Sequence, residues 1–298
     1  MIYVTGANGR IGRVVLEKVK GIAIVRRSCG LPNEIVTSYE VEDLRRIFKD
    51  ARAVLHIAGS VKFKDRKSLW KGNVELTEKV VNAVPDDAKI VFASSIAVYG
   101  SNPPYMANEE TPINPDNYYA KTKALAEEIV SSHRKHVILR IGTVYGIQFN
   151  EYIKMISLIS KGIVPIVGSG DNRIPFVHVE DVAQCFLNAL KEDIQGVYIV
   201  CGKPEKLRDI MIFTAKLLRR RFFILRIPKS LAKALAKPLS LEEHVKVLTS
   251  DRVFDIRKAM KYLGFNPRDI WGGIREVVDY WRRLNEREGG EIHLGKRS

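Results

Sequence analysis

Cysteine is scarce in the 298-residue chain. Cys29, Cys185 and Cys201 are too few, too unevenly spaced and odd in number, which excludes a disulfide scaffold or a zinc knuckle and fits a reducing, cytoplasmic setting. Long apolar runs are also missing: no window approaches the roughly 18–20 uninterrupted apolar residues of a spanning helix. The first residues lead directly into a glycine-rich turn, so neither secretion nor membrane insertion is expected. There is no glycine- or serine-rich linker to separate independent domains, and no internal repeat. His56, His178 and Asp181 lack a coherent metal-ligand spacing, and Ser95 lies in no G-x-S-x-G elbow, so neither a metal nor a Ser-His-Asp hydrolase is expected. Zinc-finger and aromatic RNA-binding signatures are absent as well, leaving no specific nucleic-acid partner.

Apolar residues make up 46% of the chain, enough for a large core. The net charge of +15 is uneven: 26 basic and 22 acidic residues lie up to Cys201, against 23 and 12 beyond it. Residues 203–237 hold 11 basic and 2 acidic side chains, with Phe222, Phe223, Ile224, Leu225 and Ile227 among them. That field suits an anionic small-molecule substrate, a phosphate-bearing one included, or a membrane surface, and equally a solvated lobe packed by its own aromatics.

Short apolar strands at residues 1–5, 22–25, 53–57, 89–93 and 136–141 alternate with helical patterns at 10–20, 40–49, 73–83 and 118–131. This rhythm predicts an α/β fold of the Rossmann type, a doubly wound and mostly parallel sheet over residues 1–165. A smaller, largely helical substrate lobe is expected over 166–298, with 174–200 returning to the core. Residues 174–177 read as a short strand and 179–190 as a helix that Asp181 caps or anchors. From Leu207 onward helical patterns dominate, broken at Pro228, Pro238 and Pro267, with little strand character.

Gly6, Gly9 and Gly12 follow a strand and enter a helix, the context in which this spacing suits a pyrophosphate against the first helical turn. Asn8, Arg10 and Ile11 lie between them as further candidate contacts. After the second strand, where an acidic residue would accept hydrogen bonds from an adenosine ribose, the chain has Arg26 and Arg27, which favours NADP over NAD.

These signals continue in order with His56-Ile-Ala58-Gly59, Asn73, Ser94-Ser95-Ile-Ala-Val98-Tyr99-Gly100, Tyr119-Ala-Lys-Thr-Lys123, the segment 139–146 containing Val144, and the segments 176–183 and 254–258. Together they resemble the extended short-chain dehydrogenase/reductase family, including its epimerase/dehydratase members, over essentially the whole chain. The resemblance implies that Ser95, Tyr119 and Lys123 are catalytic, that Lys123 also holds the nicotinamide ribose, and that His56, Ala58, Gly59, Asn73 and Val144 line the cofactor. It further implies substrate contacts from Ser95, Val98, Tyr119 and Arg173, and a homodimer. One departure is Thr37-Ser38-Tyr39, where family members often carry an acidic residue that touches adenine.

Spacing supports the catalytic pair independently. Tyr119 and Lys123, four residues apart, share a helix face, and a nearby ammonium favours the phenolate that exchanges a proton with a substrate hydroxyl. Tyr118, five residues from Lys123, is rotated away. The resulting expectation is NAD(P)-dependent hydride transfer at a secondary alcohol or ketone. The alternatives are a nucleotide-sugar epimerase with tightly bound NAD and a nonenzymatic dinucleotide-sensing protein.

Overall fold

Alternation of apolar side chains within each short strand sets the architecture. The computed structural model describes residues 1–219, 221–237 and 242–287, so Pro238 and the lobe residues from 288 onward lie outside the described residues. In chain order the strands are β1 (Ile2–Thr5), β2 (Ile22–Val25), β3 (Glu34–Val36), β4 (Ala53–His56), β5 (Lys89–Ser95), β6 (His136–Ile141) and β7 (Thr143–Tyr145). They continue with β8 (Ile163–Val167), β9 (Arg173–Ile174), β10 (Phe176–His178), β11 (Gly196–Val200), β12 (Glu205–Lys206) and β13 (Phe223–Ile227). The first helices are α1 (Arg10–Val19), α2 (Val41–Ile47), α3 (Arg66–Trp70), α4 (Leu76–Val81), α5 (Tyr118–Ser131) and α6 (Asn150–Ile159). After them come α7 (Val179–Asn188), α8 (Leu207–Leu217), α9 (Lys229–Ala236), α10 (Glu242–Thr249), α11 (Arg257–Tyr262) and α12 (Ile270–Arg287).

Seven strands form one parallel sheet in the order β11-β6-β5-β4-β1-β2-β3. The period of two sends Val4 and Val91 to one face and Tyr3, Ile90 and Phe92 to the other. The first face packs on α1 and α7 through Val14, Val15, Val182 and Phe186. Leu44 and Phe48 beside α2, Leu76 and Val80 of α4, and Ala126 and Val130 of α5 cover the second. Each large side chain removed from water here contributes about 1.5–3 kcal/mol before entropy is counted.

A third cluster forms the lobe, where Ile153 and Ile156 of α6 meet Val164 and Ile166 of β8, Ile210 and Met211 of α8, and Ile274, Val277 and Val278 of α12. The lobe therefore draws α6 and the start of β8 from before residue 165. α11 returns to the sheet, where Ala259, Leu263 and Phe265 join the first core cluster.

Some elements differ from the sequence reading. β3 went unmarked because it has three residues, none of them buried. Pro175 divides the strand expected over 174–177 into β9 and β10. The helix expected to begin near Asn73 begins at Arg66, and Asn73 sits in a π-helical turn, Lys71–Glu75, between α3 and α4. Little strand was expected past residue 207, yet β13 pairs in parallel with β8, a partner far upstream that local pattern does not reveal.

Candidate active site

The glycine turn closes between β1 and α1. Gly9 N–H donates to Gly6 O at 2.9 Å, and Gly6 has φ +68°. A Cβ at Gly12 would lie 2.1 Å from Gly6 O, and one at Gly6 would lie 2.6 Å from Ala58 N, so these close approaches require glycine. No side chain caps the α1 N-terminus, which leaves first-turn amides for an anionic ligand. The turn thus fits a dinucleotide pyrophosphate. Asn8 is exposed and Ile11 half-buried at its mouth. Arg10 is turned aside, bonded to both Glu151 oxygens at 2.9 and 2.7 Å and stacked over Phe149.

His56 sits beneath this cradle. Its side chain is fully buried, so contact with a cofactor through the imidazole, as the resemblance implied, is replaced by support of the strand ends. Thr77 Oγ1 donates to Asn73 O, which leaves it to accept from His56 Nε2 at 3.0 Å; Thr5 Oγ1 then donates to Nδ1 at 2.8 Å. Burial holds the ring neutral, with its pKa lowered to about 3. Ala58 N–H donates to Thr5 Oγ1, joining the third loop to the same chain of bonds.

Asn73 is likewise buried. Its Oδ1 accepts from Ser60 N at 2.7 Å, and its Nδ2 donates to Ser60 O and to Thr122 Oγ1 of α5, so it ties the loop containing Gly59 to α5. Where an acidic adenine contact was missing, Tyr39 is buried with φ +63° and donates to Ile24 O at 2.7 Å. Arg26 and Arg27 are exposed at the end of β2, with the Arg26 guanidinium 5.6 Å from the Tyr39 ring centroid.

Ser95 ends β5, and Asn117 caps α5 by accepting from Ala120 N. The end of β5 and the start of α5 bring Ser95 and Tyr119 together, with Lys123 one turn along the helix. The Ser95 hydroxyl accepts from Ala97 N at 3.2 Å and lies near Tyr119. Tyr119 is half-buried with its ring edge-on to Phe63, the centroids 5.1 Å apart. Burial raises its pKa and the nearby Ser95 hydroxyl partly opposes this, so the tyrosine is a neutral phenol at neutral pH. Lys123 is 5% exposed, donates to Ala93 O at 2.5 Å and lies 4.1 Å from the Phe92 ring centroid. Burial lowers its pKa to about 7, with Glu127 opposing. Tyr118 points elsewhere, under the Arg66 guanidinium at 5.2 Å. Phe63, Arg66, Tyr118, Tyr119 and Lys121 line a cavity of about 420 Å³ beside the trio.

Sequence reasoning passed over the support behind Lys123. Arg140 of β6 and Glu127 of α5 form a buried ion pair at 2.7 Å, the same carboxylate accepts from Ser94, and Arg140 also donates to Tyr99. The YxxxK spacing extended by four residues was the available signal.

On the lobe side, Val98 is 0% exposed inside a cluster with Phe254, which corrects the expectation of a substrate contact from its side chain. Val144 is half-buried and packs against the first core cluster. Arg173 spends its charge on Asp251, at 3.0 and 2.5 Å, and stacks over Tyr105. Asp181 anchors α7, as expected, by accepting from Arg268 N and Nε, while His178 caps that helix. Arg252, which the sequence did not single out, is 6% exposed; its Nη2 reaches Thr143 Oγ1 at 3.4 Å, and its Nε has no hydrogen-bond partner among the described residues. No cluster suited to a metal ion occurs among the described residues, and no described helix is long and apolar enough to cross a membrane.

Known proteins share this arrangement of fold. A protein of Methanocaldococcus jannaschii bearing the provisional name UDP-glucose 4-epimerase is 28% identical, the match covering 96% of this chain and 100% of that one. The solved UDP-N-acetylglucosamine 4-epimerase from Bacillus cereus superposes with a TM-score of 0.79 at 22% identity, over 94% of this chain and 99% of its own. A human epimerase family protein with NADPH superposes with a TM-score of 0.77 at 18% identity, over 93% and 99%. The model of the NAD dependent epimerase/dehydratase family matches residues 2–202, from β1 and the glycine turn through α5 to β11, and the chain is an enzyme of that family.

Proposed function

We propose that this enzyme transfers hydride at a secondary alcohol or ketone carbon, with Ser95, Tyr119 and Lys123 acting on the reacting oxygen. The convergence of Ser95 at the end of β5 and Tyr119 at the start of α5, with Lys123 one helical turn behind, carries the reading. A nicotinamide dinucleotide held by Gly6, Gly9, Gly12 and the α1 amides supplies the hydride acceptor or donor. Tyr119, a neutral phenol, is ready to protonate a carbonyl oxygen being reduced; in oxidation it takes the hydroxyl proton. Ser95 hydrogen-bonds that oxygen and orients it. Lys123 holds the ribose hydroxyls and, when protonated there, favours the phenolate during oxidation. Arg26 and Arg27 support NADP over NAD, their charge offsetting an added phosphate at the ribose.

A second reading, favoured by the names of the relatives, is epimerisation of a nucleotide sugar, in which hydride leaves and returns to the same carbon. Turnover distinguishes the two: absorbance at the reduced-nicotinamide band accumulates with product in net oxidoreduction, whereas an epimer without net cofactor change marks the second. Both readings require Tyr119. In single-turnover assays at saturating cofactor, Tyr119→Phe should lower the rate by about 10²–10⁴-fold with cofactor affinity retained, and Tyr118→Phe should be mild. A folded, fully active Tyr119→Phe enzyme would refute the mechanism.

A further inference from the structure

Large apolar side chains left in water are ordinary when scattered, but the lobe gathers several of them in one stretch of chain. β13 pairs with β8 on one side, and its Phe223, Ile224 and Leu225 are 57%, 39% and 45% exposed. α9 follows after Pro228 alone and is seated by the buried Ala232 and Ala236. Its outward half carries two stripes at helical spacing, Leu231 and Leu235 on one side and the exposed Lys229, Lys233 and Lys237 on the other. A Cβ at Gly168, in the turn that ends β8, would lie 2.9 Å from Lys229 Cε, so the start of α9 stays beside the strand pair. Residues 221–237 hold five basic side chains and no acidic one. The ion pairs of the neighbouring lobe use Lys206, Arg208 and Lys246, and none of Arg221, Arg226, Lys229, Lys233 and Lys237 forms one among the described residues.

Charge decides what fits this face. A second copy of the chain would set the cations against their own mates, which like-charge repulsion opposes. Nucleic acid would neutralise the charge but leave Phe223, Leu225, Leu231 and Leu235 in water. A layer of anionic lipid meets both needs, because lysine and arginine reach headgroup phosphates while phenylalanine and leucine enter the acyl boundary. We propose that β13 and α9 form a docking face for an anionic membrane surface, on which the enzyme rests peripherally without spanning it. This stands apart from the hydride-transfer reading and does not depend on it.

Cosedimentation of the whole chain with vesicles of phosphatidylcholine alone, or with about one-third phosphatidylglycerol, tests the proposal. Wild type should pellet with the anionic vesicles and stay in solution with the neutral ones. Lys233→Gln with Lys237→Gln should weaken binding roughly 25-fold, about fivefold for each charge near the surface. Phe223→Ser with Leu235→Ser keeps every charge and should weaken it roughly 10-fold or more, because inserted apolar area is lost. All four side chains face solvent, so unfolding temperatures should stay within about 2 °C of wild type. Wild type that ignores anionic vesicles overturns the proposal. So does an apolar pair that binds them as wild type does; equal binding to duplex DNA would then mark a surface for any polyanion. Self-association in sedimentation velocity that the apolar pair abolishes would name a second copy as the occupant, and overturn it likewise.

Discussion

At the scale of single residues, Lys123 sets chemistry against stability. Its ammonium is buried against Ala93 O and the Phe92 ring, and its pKa falls from 10.5 to about 7. Between those values the unfolded chain binds a proton that the folded chain does not, so this group makes stability rise with pH through that window. Below pH 7 both states are protonated and the full cost of burial remains. Lys123→Met should thus be more stable than wild type at pH 6.5, lose that advantage by pH 10, and be inactive. Urea denaturation at the two pH values measures this; a less stable Lys123→Met at pH 6.5 contradicts it. The spacing to Tyr119 was legible from sequence, whereas the burial that depresses the lysine depends on its packing against β5, with Glu127 opposing.

Among elements, α12 approaches β7 closely at Gly273. A Cβ at Gly273 would lie 2.0 Å from the Tyr145 hydroxyl, which is buried and has no hydrogen-bond partner among the described residues. Gly273→Ala should cost about 1–3 kcal/mol by overpacking, despite alanine's better helix propensity. Tyr145→Phe removes an unsatisfied hydroxyl and should be neutral or stabilising by about 1 kcal/mol. In the double variant part of the alanine cost should disappear, because the hydroxyl is the nearest of the obstructing atoms; strictly additive unfolding free energies would show the contact to be unimportant. Sequence periodicity located α5 and β6 with their observed bounds, since amphipathic pattern and motif agree there. It missed β13, whose stability as a strand comes from pairing with β8.

The whole molecule carries its +15 charge mainly beyond Cys201, while the two arginines proposed to favour NADP lie at the opposite end of the chain. NADPH should bind more tightly than NADH, and the gap should narrow with added salt, because Arg26 and Arg27 are exposed and screened. Calorimetry on both cofactors at low and high salt tests this. Equal affinities, or a preference that survives replacement of both arginines by Ala, would remove the arginines as its cause.

By itself the sequence determined the parallel sheet, the glycine turn and the helical spacing of Tyr119 and Lys123, because strand alternation, helical spacing and close backbone approach are local properties written into residue order. Tertiary structure decided which charges are free. Arg173 and Arg252 look equally available along the chain, but folding places Asp251 against the first and surrounds the second with Thr143, Cys201 and the buried edge of the sheet. His56 and Asn73 likewise read as cofactor contacts until the fold buries them as the bonds that hold the cradle. Burial and pairing are set by segments far apart in sequence, and only their packing assigns each polar group to support or to chemistry.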